Sequence, residues 1–107
     1  MNLEELIKLL MSKGIDVEDV LLDALSIKDP GESANERIRL VEKYMNEARD
    51  YLSKGDAVQA GEKLYKAAEE VIKALAEKYG VEHVAAGMEV IERMVKETRR
   101  IVLGDNE

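Results

Sequence analysis

The sequence predicts an all-α protein, an up-and-down helical bundle around a long antiparallel hairpin. Three observations predict it. Apolar residues recur at three- and four-residue spacing along most of the chain. No segment alternates apolar and polar residues as a half-buried strand would. Helix stop and start signals adjoin one another, which leaves room only for tight turns.

The first helix is expected over Leu3–Lys13, with Asn2 as N-cap, Glu5 at the capping-box position and Gly14 as the stop. The second is expected over Val17–Ile27, capped by Asp16. "KDPGES" (28–33) holds the only proline and reads as the clearest break in the chain. "SANE" then opens the third helix, with Ser33 as N-cap and Glu36 reaching back, and the helix runs to about Lys54. Its stripe is Ile38, Val41, Met45, Ala48 and Leu52, a heptad pattern suited to near-antiparallel packing.

Gly55 ends that helix and Asp56 at once caps the next, with Gln59 at the capping-box position. Helices joined so tightly must fold back on each other. The fourth helix, Ala57–Tyr79, carries the stripe Gly61, Leu64, Ala68, Val71 and Leu75. A turn at Gly55 sets Ala48 opposite Gly61 or Glu62. Gly61 is therefore expected where the helices approach too closely for a side chain, since a mid-helix glycine otherwise costs about 1 kcal/mol against alanine. A fifth helix is expected over Glu82–Leu103, with the stripe Val84, Met88, Ile91, Val95, Thr98 and Val102. The chain thus reads as one domain, with short N-terminal helices at 1–29 and a three-helix core at 33–104.

Composition narrows the function classes. The chain has 107 residues, 46% apolar and 36% charged, with no Cys, Trp or Phe. That excludes a disulfide framework and a thiolate metal site. No apolar run approaches the roughly 18 residues that cross a bilayer. The N-terminus is acidic where a signal peptide would be basic, so a soluble cytoplasmic protein is expected. Abundant Glu, Lys and Arg with little Asn and Gln lean towards a thermophile. The net charge of −7 argues against a phosphate backbone as the main partner. Residues 1–32 hold eight Asp and Glu against three Lys.

Candidate chemistry is sparse. His83 is the only histidine, with no second metal ligand and no Ser or Cys to activate. Glu62, Glu69, Glu70 and Glu77 read as surface groups, paired through Glu62–Lys66 and Glu69–Lys73. No Glu-x-x-His motif accompanies them, so neither metal nor cofactor is expected. Arg93, Lys96, Arg99 and Arg100 form the one basic cluster, and Arg93, Lys96 and Arg100 share a face. They read as cations at a helix C-terminus, or as a weak surface for RNA or an acidic partner. Tyr44, Tyr51, Tyr65 and Tyr79 are expected at the core margin or on an oligomer interface. The short N-terminal helices either cover the bundle or pack on another subunit, which makes a homodimer the expectation.

The stretch "ARDYLSKGDAVQAGEKLYKAAEEVIKALAEKYG" (48–80) resembles the signature of the archaeal PaREP family. Lys54, Gly55, Asp56, Gln59, Ala60, Glu62 and Lys63 match its turn and helix start, and "KAAEEVIKALAEKYG" its continuation. PaREP proteins in turn resemble the HEPN superfamily of helical bundles. That resemblance implies dimers and, in some members, an RNase site built from an Arg and a His on neighbouring turns. Here the residue five before His83 is Lys78, and Gly80 lies between them. A tetratricopeptide hairpin fits loosely too, but the third and fourth helices exceed that unit and no second repeat follows. The expectation is a non-enzymatic, homodimeric interaction module with a protein partner, such as a small nucleotidyltransferase. The alternative is a HEPN-type RNase or an RNA- or nucleotide-binding protein with a degenerate site. Lys78, His83, Arg93, Lys96 and Arg100 are then the only candidates.

Overall fold

Caps and glycines divide the chain into five helices. The computed structural model describes residues 1–104, and no strand occurs among them. The helices are α1 (Leu3–Ser12), α2 (Val17–Lys28), α3 (Pro30–Ser53), α4 (Ala57–Tyr79) and α5 (Val81–Leu103). Asn2, Asp16 and Asp56 cap α1, α2 and α4, each accepting from the backbone N–H three residues on.

The turn between α3 and α4 is three residues long. Gly55, at φ +77°, lets its own N–H bond the Leu52 carbonyl while the Asp56 N–H bonds that of Tyr51. This double bond is the Schellman closure. Asp56 therefore ends one helix with its backbone and starts the next with its carboxylate. The two helices fold into the expected antiparallel hairpin, the most extensive packing in the molecule.

The junction at 28–33 differs from expectation. α3 starts at Pro30, not Ser33, with Asp29 as N-cap accepting from the Glu32 N–H at 3.0 Å. Proline at the first helical position loses no hydrogen bond, so "KDPGES" continues the helical path instead of breaking it. Ser33 then lies fully buried inside the helix, and its hydroxyl donates to the Leu22 carbonyl at 2.9 Å. With Asp29 alone between them, α2 must fold straight back along α3.

The inner faces of the hairpin are also rotated from those expected. α3 buries Ser33, Ala34, Arg37, Leu40, Tyr44 and Ala48, and α4 buries Ala60, Ala67, Glu70 and Ala74. Three alanines at heptad spacing line the α4 side, and small side chains allow close approach of two helices. Gly61 is not part of this seam. It is exposed, and a Cβ built there meets nothing within 4 Å. The close-approach explanation of Gly61 is therefore overturned. Gly61→Ala is expected to stabilise by about 0.5–1 kcal/mol through helix propensity, seen as a higher urea midpoint at an unchanged slope.

The core also sits elsewhere than expected. It joins α2 to the hairpin, with Leu22, Val41 and Met45 packed against Leu40, Tyr44 and Ala67. α5 packs on α4 and buries Gly87 alone, where a Cβ would sit 3.1 Å from Ile72 Cδ1. α1 packs against α2 and buries no residue. The Cα radius of gyration is 16.5 Å, against about 13 Å for a compact chain of this length.

Candidate functional site

The buried seam of α2, α3 and α4 contains charge. Arg37 is wholly enclosed, and it reaches four carboxylates on two helices. Its Nη1 donates to Asp19 at 2.8 Å and to Glu70 at 2.6 Å, its Nη2 to Asp23 at 2.7 Å and its Nε to Glu77 at 2.7 Å. Lys73 donates to both Asp19 oxygens, at 2.8 and 2.7 Å, and lies 3.7 Å from Asp23. The guanidinium fork suits this role, since it offers five donors in one plane and stays charged when buried.

Two cations face four carboxylates, so the cluster holds an excess of negative charge. Burial, reinforced by a hydrogen bond with Asp19, pushes the Glu70 carboxyl up to about 7. A hydrogen bond between two carboxyls needs one proton. Glu70 keeps it, while Asp19 stays ionised: burial opposes that charge, but hydrogen bonds from Glu70, Lys73 and Arg37 hold Asp19 below its usual range. Tyr44 extends the network by donating to Asp16 Oδ2 at 3.1 Å. Burial and then the Asp16 charge raise its phenol. Chemically the arrangement is a clasp. All three guanidinium nitrogens of Arg37 are spent on the carboxylates, and the enclosed side chain presents no face to a substrate; Glu77 Oε2 is buried without a partner. It fastens the acidic side of α2 to the hairpin.

This reverses the surface reading of Glu70 and Glu77, which lie in the seam and bond Arg37. Glu69 does pair with Lys73, at 3.8 Å. Sequence reasoning missed Arg37, Asp19 and Asp23, and gave Lys73 only its pairing with Glu69. One signal was present: Ser33, Arg37, Leu40, Tyr44 and Ala48 also form a three- and four-spaced stripe, with a single cation in it. Of the tyrosines, Tyr44 is buried while Tyr65 and Tyr79 are exposed.

The second feature is apolar surface with no cover. Glu70, Lys73 and Glu77 turn one flank of α4 towards α2. Leu64, Ala68, Val71 and Leu75 lie on the other flank, together with Ile38 and Leu52 of α3, while Val41 and Met45 of the same α3 stripe pack on the core. These are the stripes the sequence suggested as the hairpin's inner seam. A groove of about 260 Å³ lies there between Ile38 of α3 and Val71 and Leu75 of α4. Ile38 is 46% exposed, Leu52 58% and Leu64 43%. On α5, Met88, Ile91, Val95 and Val102 are all exposed along one face. A second groove of about 420 Å³ joins that face to Ile72 of α4.

The residues expected at an RNA site fall into two separate groups. His83 stacks on Tyr79, ring centroids 4.4 Å apart, and the Lys78 ammonium lies 5.5 Å from the centre of the same ring. Arg93, Lys96 and Arg100 are exposed further along α5, and Arg100 pairs with Glu97. At 1.5 Å per residue they trail roughly 15–25 Å from His83. Lys54, Gly55, Asp56 and Gln59 build the hairpin turn, as expected. Among the described residues no group of three or more His, Asp or Glu is placed to hold a metal. No helix is long and apolar enough to cross a membrane.

Fold and site together define an all-α hairpin protein fastened by a buried ion cluster. The chain belongs to the archaeal PaREP1/PaREP8 family, whose family model matches residues 36–105. The match takes in Arg37, Glu70, Lys73 and Glu77 and leaves out α1 and α2 with Asp19 and Asp23. No curated protein and no solved structure matches the chain.

Proposed function

We propose that this protein is a non-enzymatic helical interaction module that works as a homodimer. One observation carries the reading: the accessible surface, which includes exposed Ile38, Leu52 and Leu64 and the α5 stripe, is larger than a compact monomer's. A compact monomer of this mass exposes roughly 6,000 Å², whereas this chain exposes 8070 Å². The excess, roughly 2,000 Å², is what one subunit of an obligate dimer buries.

Sedimentation equilibrium of the full chain tests this. A dimer is expected across micromolar concentrations, and a monomer throughout that range would defeat the proposal.

A second reading, a nucleic-acid-binding protein with a degenerate HEPN-type site, draws on one observation. Arg93, Lys96 and Arg100 lie on the side of α5 opposite its apolar stripe, so a dimer using that stripe leaves them open. The net charge of −7 and the absence of an aromatic residue on that row favour the first reading.

A further inference from the structure

The interaction reading leaves open which surfaces meet, and the structure holds two that lack partners. One is the apolar flank of the hairpin away from α2. The other is the apolar stripe of α5. Both are helical and similar in length. α5 has 23 residues, and the helices that form the flank have 24 and 23. At 1.5 Å per residue each spans about 35 Å.

Within one chain the described contact between them is at Leu75, near the end of α4, where Gly87 of α5 sits. Gly80, at φ +80°, is the only residue between α4 and α5. Gly87 then seats the second turn of α5 against Ile72 and Leu75 of α4. Beyond Met88 every α5 residue described is exposed. α5 therefore leaves its own hairpin at one end of the flank and carries its stripe outward.

We infer that α5 of one subunit lies along the hairpin flank of a second copy, and that the exchange is reciprocal. This rests on the dimer proposed above and specifies its interface. A helix with an apolar stripe laid against two helices with an apolar groove completes a three-helix layer. Two such contacts related by a twofold axis cover both orphan faces of both chains, which a self-pairing of either face alone does not. The three-helix core expected for residues 33–104 would then exist, with its third helix supplied by the partner.

Two variants test the arrangement. Ile38→Glu puts a charge on the hairpin flank, and Val95→Lys puts one on the α5 stripe. Both positions are about half exposed in the single chain, at 46% and 59%, so each chain should keep its helices, as far-ultraviolet circular dichroism would verify. Should Ile38→Glu unfold, Leu64→Glu takes its place. Each variant alone is expected to raise the dimer dissociation constant on the order of a hundredfold. An equimolar mixture is expected to form heterodimers, because one contact is then wild-type on both sides and the other joins Glu to Lys. If Ile38→Glu alone stays dimeric, the flank is not in the interface and the inference fails. It fails likewise if Val95→Lys alone stays dimeric, or if the mixture does not pair. Those outcomes leave the dimer itself standing. A wild-type monomer, whether compact with α5 closed on its own hairpin or elongated and awaiting another protein, defeats both.

Discussion

Arg37→Ala is expected to destabilise the protein by about 3–5 kcal/mol, the usual cost of removing one side of a buried ion pair. The reason lies in what remains. Asp19, Asp23, Glu70 and Glu77 would face one another with Lys73 as their only cation, and Lys73 contacts Asp19 and Asp23 but not Glu77. The loss falls on α2 first, because two of the four lost contacts, those to Asp19 and Asp23, tie it to the hairpin. Urea unfolding followed by circular dichroism gives the magnitude. Faster proteolysis between α1 and α3 would locate it. A change below about 1 kcal/mol would mean that the cluster is solvated like a surface pair. Arg37→Lys keeps the charge but loses the fork, so it should fall between wild type and Ala.

Stability should fall as pH rises from about 4.5 to about 7, on the order of 3 kcal/mol, through Glu70. The sign follows from linkage. A carboxyl whose folded pKa is raised binds its proton more tightly in the folded state. Its contribution is complete below the unfolded value of 4.5 and is lost as pH passes the folded value of about 7. Asp19 works in the opposite sense and in a lower window. Its folded pKa is depressed, so its contribution is present above 3.8 and is lost as pH falls through the folded value. Glu70→Gln keeps an acceptor for Arg37 and a donor for Asp19 but carries no proton to lose. Urea midpoints of this variant should be flat between pH 5 and 8 and should exceed wild type at pH 8. A wild-type profile without the decline would show that Glu70 titrates as an ordinary surface glutamate.

The helices themselves were legible because their signals are local. Asn2, Asp16, Gly55 and Asp56 act within four residues of their own positions, and each stands where the sequence places it. The one boundary misplaced by more than a residue, with Ser33 expected as N-cap where Asp29 caps, came from two adequate caps four residues apart. Tertiary contact decided between them, since Ser33 is needed to bond Leu22. The inner face of the hairpin was not legible for a related reason. Both helices carry two candidate stripes, and the more hydrophobic one is right only in part: Ala48 is buried and Val41 and Met45 pack on the core, but Ile38, Leu52 and Leu64 are half exposed. Ala60, Ala67, Ala74 and Arg37 lie outside the expected stripes and are buried. Apolar periodicity reports that a face needs cover, not whether the cover comes from the same chain. The clasp was hidden because its members lie up to 58 residues apart, from Asp19 to Glu77, and each one alone resembles a solvated helix residue.

The clasp has a consequence for which fold is chosen, separate from how stable it is. The apolar contacts of α2 are few and forgiving, since Val17 and Leu22 would find some purchase on the hairpin in several positions. Asp19 and Asp23, one turn apart, meet Arg37 in only one. Sliding α2 by a single residue turns its carboxylates about 100° around the helix and strands a guanidinium in the interior. The ion cluster thus works as a key: it rejects every misaligned docking of α2 far more strongly than it rewards the right one.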